Sequence, residues 1–212
     1  MRNKFAEVLF RLTKKNKKIR VVAADISPSG ELAGLTKKYP DKFINVGVAE
    51  SSMISMCAGL AARGLIPFAY TIASFSIFRP FEMVRIDVGY QNLPVVIVGM
   101  SAGTIYSNLG GTHITQDDVS IVRSLPNFTV LSPCDPLELE ECVKYLCTKN
   151  KSPCYLRIGK TGEKTFSNKR SEKWVFNKPR VLLKGGNKIC LIGTGAIIRL
   201  FFDIYEKLKL KK

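Results

Sequence analysis

Apolar positions along the chain switch repeatedly between two periods. In residues 3–12, Phe5, Val8, Leu9 and Leu12 recur on one helical face, and the basic run that follows suits a helix end. Ile19–Ala23 is a β-branched run closed by turn-forming residues 24–30. Residues 43–46, 66–71, 95–98, 129–131 and 154–158 also read as strands, and residues 50–63, 75–88, 117–123 and 136–147 as helices, Gly64 stopping the first of these. Strands alternating with helices predict an α/β fold with a doubly wound, mostly parallel sheet covered on both faces. In such a sheet, ligands gather where the strands end.

Residues 161–187 lose periodicity and collect Gly, Ser, Asn and Lys, as a linker does. Residues 188–193 then predict a strand and residues 196–210 a helix, a βα unit that cannot bury both faces alone. The expected organisation is one domain over residues 1–160, a linker over 161–187 and the truncated start of a further α/β domain over 188–212. With 212 residues, 46% of them hydrophobic, the chain can bury one sizeable core and begin a second.

Charge and cysteines narrow the function classes. No apolar run approaches the ~20 residues of a membrane-spanning helix, and the first residues lack a leader pattern, so a cytoplasmic protein without a membrane partner is expected. The six cysteines form no CxxC pair and sit mostly in apolar runs, where reduced cysteine acts as a small apolar residue. The formal charge of +16 raises nucleic acid as a partner. Its lysines lie in short terminal runs with no groove-reading motif, so the expectation is solvated faces and affinity for anionic ligands or an acidic partner subunit.

Three stretches carry candidate chemistry. Glu50 follows a strand and opens a helix, where a carboxylate also has a purely structural use against the helix dipole. Phe75, Phe78 and Phe81 repeat at i, i+3 and i+6, a pattern more often core than cofactor pocket. His113, the chain's one histidine, follows Gly110-Gly111-Thr112, glycines that let a backbone approach a ligand closely.

Together, Asn45-Val46-Gly47-Val48-Ala49-Glu50, Met53, Ala58-Gly59-Leu60-Ala61, Gly64, the aromatic stripe and the Gly-Gly-Thr-His turn resemble the pyrimidine-binding domain of the transketolase family. The resemblance implies that Glu50 binds a ring nitrogen of thiamine diphosphate's aminopyrimidine and shares a proton with it, which a carboxyl in an apolar cleft can do near neutral pH. It implies that Phe78 stacks on the ring while Phe75 and Phe81 line the pocket, with Arg85 further along. It also implies that His113 moves protons at the substrate, and that Arg2, Ser29 and Lys160 bind a sugar phosphate. Lysine at 160, where the family usually has arginine, keeps the charge but loses the bidentate grip.

The same resemblance marks departures. Leu109 and Ser101 stand where the family has an acidic residue and a histidine that touch the sugar, so the usual sugar phosphates are not the expected substrates. The Gly-Asp-Gly and asparagine pattern that holds Mg²⁺ and the diphosphate is missing, and Gly193-Thr194-Gly195 lacks the needed carboxylate. The expectation is an oligomeric, two-component transketolase-like enzyme, inactive without a separate diphosphate-binding subunit that holds most of the Mg²⁺. Alternatives are the beta subunit of a 2-oxoacid decarboxylase or dehydrogenase, or a non-catalytic remnant serving as an interaction module.

Overall fold

The computed structural model describes residues 1–26, 31–160, 162–167, 172–184 and 189–209. Six strands, β1 (Ile19–Ala23), β2 (Phe43–Asn45), β3 (Ile66–Ile72), β4 (Val96–Met100), β5 (Thr129–Leu131) and β6 (Cys154–Ile158), form one sheet in the order β2-β1-β3-β4-β6-β5. Every pairing is parallel.

Successive strand residues face opposite sides, and both sides are apolar. On one side Val21, Phe68, Tyr70, Val98 and Leu156 meet helices α1 (Arg2–Lys15), α2 (Glu31–Lys38) and α7 (Pro136–Thr148) through Phe5, Leu9, Leu35, Val143 and Leu146. On the other, Val22, Ala69, Ile97 and Tyr155 meet α3 (Glu50–Ala62), α4 (Ala73–Ile77) and α6 (Asp118–Arg123) through Met53, Ile54, Cys57, Ile77 and Val122. The doubly wound α/β class expected from the sequence is thus observed. Five cysteines are buried and Cys190 is exposed, all with free thiols; burial pushes the Cys147 thiol up to about 12, too high for a reactive thiolate.

Three local readings change. The sequence pattern misses α2, eight residues interrupted by Gly34. The single helix expected over residues 75–88 is broken: α4 ends at Ile77, α5 is only Phe81–Met83, and Val84–Tyr90 is a π-helix. Pro80 explains the break, because its ring and missing N–H cannot continue α4, whereas its carbonyl accepts from Val84 at 2.9 Å and starts the next piece. Finally, residues 189–193 form no strand and are exposed; Lys188 and Leu210 lie outside the described residues. A strand needs a neighbouring strand to pair with, and this segment meets none. Helix α8 (Ile198–Lys209) follows.

The expected linker has no helix or strand in its described parts, yet it lies against α7. Phe176 stacks on Tyr145 with ring centroids 4.3 Å apart, and Trp174 packs on the core. Asp135 fastens the same region. It caps α7 by accepting from Glu138 N–H at 2.8 Å, and it also accepts from the N–H groups of Phe166 and Ser167 at 2.9 and 2.6 Å. Burial pushes its carboxyl up, but the hydrogen bonds from Glu138, Ser167 and Phe166 outweigh it and hold the group below its usual 3.8. Replacing Asp135 with Ala should destabilise the chain by about 1–2 kcal/mol at pH 7 in urea unfolding. Because the folded value lies below the unfolded 3.8, the deficit should persist above that pH and shrink only as the pH falls through the lowered value.

Candidate functional site

All strands being parallel, the segments that leave β1, β2, β3, β4 and β6 emerge along one edge of the sheet. Asn45, ending β2, ties two of them: its Oδ1 accepts from Asp25 N–H at 3.2 Å and from Gly47 N–H at 3.0 Å. Gly47 takes φ +72°, left-handed backbone that glycine adopts without strain, and so turns the chain into α3. Glu50 occupies the first turn of α3 and is only 3% exposed.

The break after α4 brings a cation to this carboxylate. Arg79 Nη1 lies 2.8 Å from both Glu50 oxygens, and its guanidinium stands 4.7 Å from the centroid of the Phe75 ring. Phe75 meets His113 edge to face at 5.0 Å, and His113 meets Tyr106 in the same manner at 6.1 Å. Lys160 Nζ sits 4.7 Å from the Tyr106 centroid, at the end of β6. Glu50, Arg79, Phe75, His113, Tyr106 and Lys160 thus form one ladder, alternating charged or polar heads with aromatic faces. Thr112 Oγ1 adds a hydrogen bond to His113 Nδ1 at 2.9 Å.

The long loop over residues 101–117 carries Tyr106 and His113, and its base is anchored twice. Gly103 and Thr115 exchange backbone hydrogen bonds, each 3.0 Å. Just beyond, the fully buried Asp118 accepts from Tyr155 OH at 2.7 Å and from Arg157 Nε at 2.8 Å. Burial first, and the Asp118 charge second, push the Tyr155 phenol well above its usual 10.0, so it remains a donor to Asp118.

The structure places the expected site residues unevenly. Glu50, Phe75, His113 and Lys160 share the ladder. Arg2 is next to it, its backbone N–H donating to Lys160 O at 3.0 Å and its Nε to Tyr70 OH at 3.1 Å. Phe78 and Phe81 are partly buried against the core on the α3 side of the sheet. Ser29 lies outside the described residues. Leu109 is half exposed, whereas Ser101 is fully buried at the end of β4. Arg85, the arginine the resemblance points to, is exposed in the π-helix.

Sequence reasoning missed Arg79, Tyr106 and Asn45. Arg79 stands inside the aromatic stripe, but nothing in its spacing links it to a glutamate 29 positions earlier. Pro80, one residue on, was the available sign that the stripe would turn. Among the described residues, no group of three or more His, Cys, Asp or Glu side chains could hold a metal ion.

Residues 1–162 match the family model described as transketolase, pyrimidine binding domain. The chain belongs to this family. A 6-deoxy-6-sulfo-D-fructose transketolase subunit from Clostridium sp. is 30% identical over 93% of this chain and 61% of its own length. An apulose-4-phosphate transketolase subunit from Phocaeicola vulgatus is 30% identical over 93% of this chain and 62% of its own. Among solved structures, a split gene transketolase in an inactive β4 tetramer superposes with a TM-score of 0.70 and 34% identity, over 79% of this chain and 53% of that one. The chain therefore spans about three fifths of the length of these curated transketolase-family relatives.

Asn45 holds the turn that aims Glu50. Asn45→Ala removes an acceptor from two exposed backbone N–H groups, a loss of about 0.5–1.5 kcal/mol. Hydrogen exchange should show the Gly47 amide opening roughly 2- to 10-fold more often, with core amides of β3 and β4 unchanged.

Proposed function

We propose that the chain is the pyrimidine-binding subunit of a two-component, thiamine diphosphate-dependent transketolase-like enzyme, which moves a two-carbon ketol unit between sugars or sugar phosphates. The observation that carries this reading is Glu50: a nearly fully buried carboxyl at a helix start, linked through Arg79 to the Phe75 ring and His113, in a chain of the transketolase pyrimidine-binding family.

The residues present fit one half of the cofactor. An aminopyrimidine needs a carboxyl for its ring nitrogen and a flat apolar surface; Glu50 offers the first and Phe78 the second, with Phe75 and Phe81 lining the pocket. A diphosphate with Mg²⁺ needs hard oxygen ligands, for which the described residues provide no cluster. A separate diphosphate-binding subunit is assigned that role. The subunit designations of the relatives support this, as does the inactivity of the β4 tetramer in the split-gene relative.

When bound, the cofactor supplies a carbon nucleophile for breaking and making bonds beside a carbonyl. Glu50 holds the ring nitrogen and passes a proton to and from it. His113, two rings along the ladder, is placed to move a proton at the substrate oxygen. Lys160 and Arg2 offer positive charge to an anionic substrate end, Lys160 without the planar fork of arginine. No helix among the described residues is long and apolar enough to cross a membrane, and a cytoplasmic setting belongs to this reading.

Three outcomes test it. Calorimetry on the chain alone should give weak or undetectable binding of thiamine diphosphate with Mg²⁺; tight binding would refute the division of labour. In the reconstituted pair, Glu50→Gln should slow exchange of the cofactor's thiazolium proton by roughly 10²–10⁴-fold in NMR, the usual worth of a positioned acid or base. An unchanged rate would return Glu50 to a structural role. Because Leu109 and Ser101 replace polar substrate contacts, ribose 5-phosphate and xylulose 5-phosphate should be poor substrates beside other anionic sugars in a profile of the same pair.

A further inference from the structure

Arg79 occupies the very carboxylate that the proposed function assigns to the cofactor ring. Glu50 is 4% exposed at its side chain and Arg79 is 49% exposed, so the acid lies beneath the surface and the cation covers it from the solvent side. The guanidinium spans the two, bonded to both carboxylate oxygens and lying over Phe75.

The two possible partners of Glu50 ask for different things. A guanidinium has five donors and no acceptor, so it pairs with a carboxylate and offers nothing to the proton of a carboxylic acid. A ring nitrogen is the reverse, an acceptor that needs the carboxyl to hold a proton and share it. Glu50 cannot meet both in the present geometry, because a carboxyl that donates its proton to a ring nitrogen leaves only one oxygen free to accept from Arg79, which now engages both. Arg79 is also poorly suited to be a permanent structural partner. It stands at the break between α4 and α5, its head is half in water, and the α3 dipole already favours negative charge at Glu50.

We propose that Arg79 is a positioning residue that stands in for the cofactor's aminopyrimidine. It keeps Glu50 charged and aligned, and it is exchanged for the ring when the cofactor binds. This rests on the assignment of Glu50 to the ring nitrogen. The exchange replaces one partner with another, so at no stage is a buried charge left without compensation, the situation that makes buried ion pairs costly to break. As Arg79 leaves, the Glu50 carboxylate takes up one proton from water and shares it with the ring nitrogen, so loading favours a ring that can accept that proton.

NMR of arginine-labelled chain gives a direct readout. In the chain alone, the Arg79 guanidinium should show slowed rotation and protected protons, and Glu50→Gln should abolish both. In the complex with the diphosphate-binding subunit, thiamine diphosphate and Mg²⁺ should shift the Arg79 signals and remove that protection. An analogue with carbon in place of the ring nitrogen should bind, if at all, without doing so. Stopped-flow measurement should find Arg79→Gln loading thiamine diphosphate about tenfold faster than wild type, with Arg79→Lys between them. Calorimetric binding with Arg79 signals unmoved would overturn the proposal while leaving the functional reading in place. So would weaker binding by Arg79→Gln, which would make Arg79 a residue that holds the cofactor. No binding by the wild-type complex, with the Arg79–Glu50 pair intact, would overturn both.

Discussion

Parallel pairing is the constraint from which the site follows. When six strands run the same way, every crossover returns along a face of the sheet and every strand ends at the same edge. Residues that are far apart in sequence then become neighbours without any contact of their own to draw them together. Asp25 and Asn45 meet after β1 and β2, Arg79 meets Glu50 across 29 positions, and Lys160 meets Tyr106 after β6 and β4. The large apolar area buried on both faces of the sheet is what holds the edge rigid. The polar ladder itself could not, since half-exposed ion pairs and aromatic contacts contribute little each.

Rigidity below and freedom above are built from different residues. Asp118, Tyr155 and Arg157 form a buried, hydrogen-bonded group under the loop over residues 101–117. Removing Asp118 would leave the buried Tyr155 hydroxyl without its partner, so this group fastens the base of the loop. Above it, His113 meets Phe75, and Tyr106 meets His113, through ring edges. The turn at Phe78, Arg79 and Pro80 has the same division: Ile77 and Val84 on either side are fully buried, while Arg79 reaches out of the break.

The distribution of charge fits an incomplete site. Glu50 supplies one buried carboxyl, and cations lie further along the ladder in Arg79 and Lys160. Carboxylates able to hold a hard cation do not cluster among the described residues. A chain so basic, at +16, favours anionic ligands and acidic surfaces.

The amino-acid sequence by itself determined the class of the fold and pointed to the candidate residues of the site. Period-two and period-3.6 patterns are local, so the strands of the sheet and the main helices are legible from hydrophobic spacing, with β1, β5 and β6 matching their expected ranges residue for residue. Glu50 and His113 stood out because the motifs around them resemble those of the transketolase pyrimidine-binding domain, whereas their local pattern alone fits a purely structural role as well. Tertiary structure alone decided what those residues touch. Arg79 joins Glu50 because Pro80 ends α4 and parallel pairing brings the segments after β2 and β3 to the same edge of the sheet, facts of chain path that no local window contains. The same limit explains residues 189–193, whose strand-like pattern came to nothing. A strand is defined by the neighbour it pairs with, and hydrophobic spacing reports only what a segment would do if that neighbour were there.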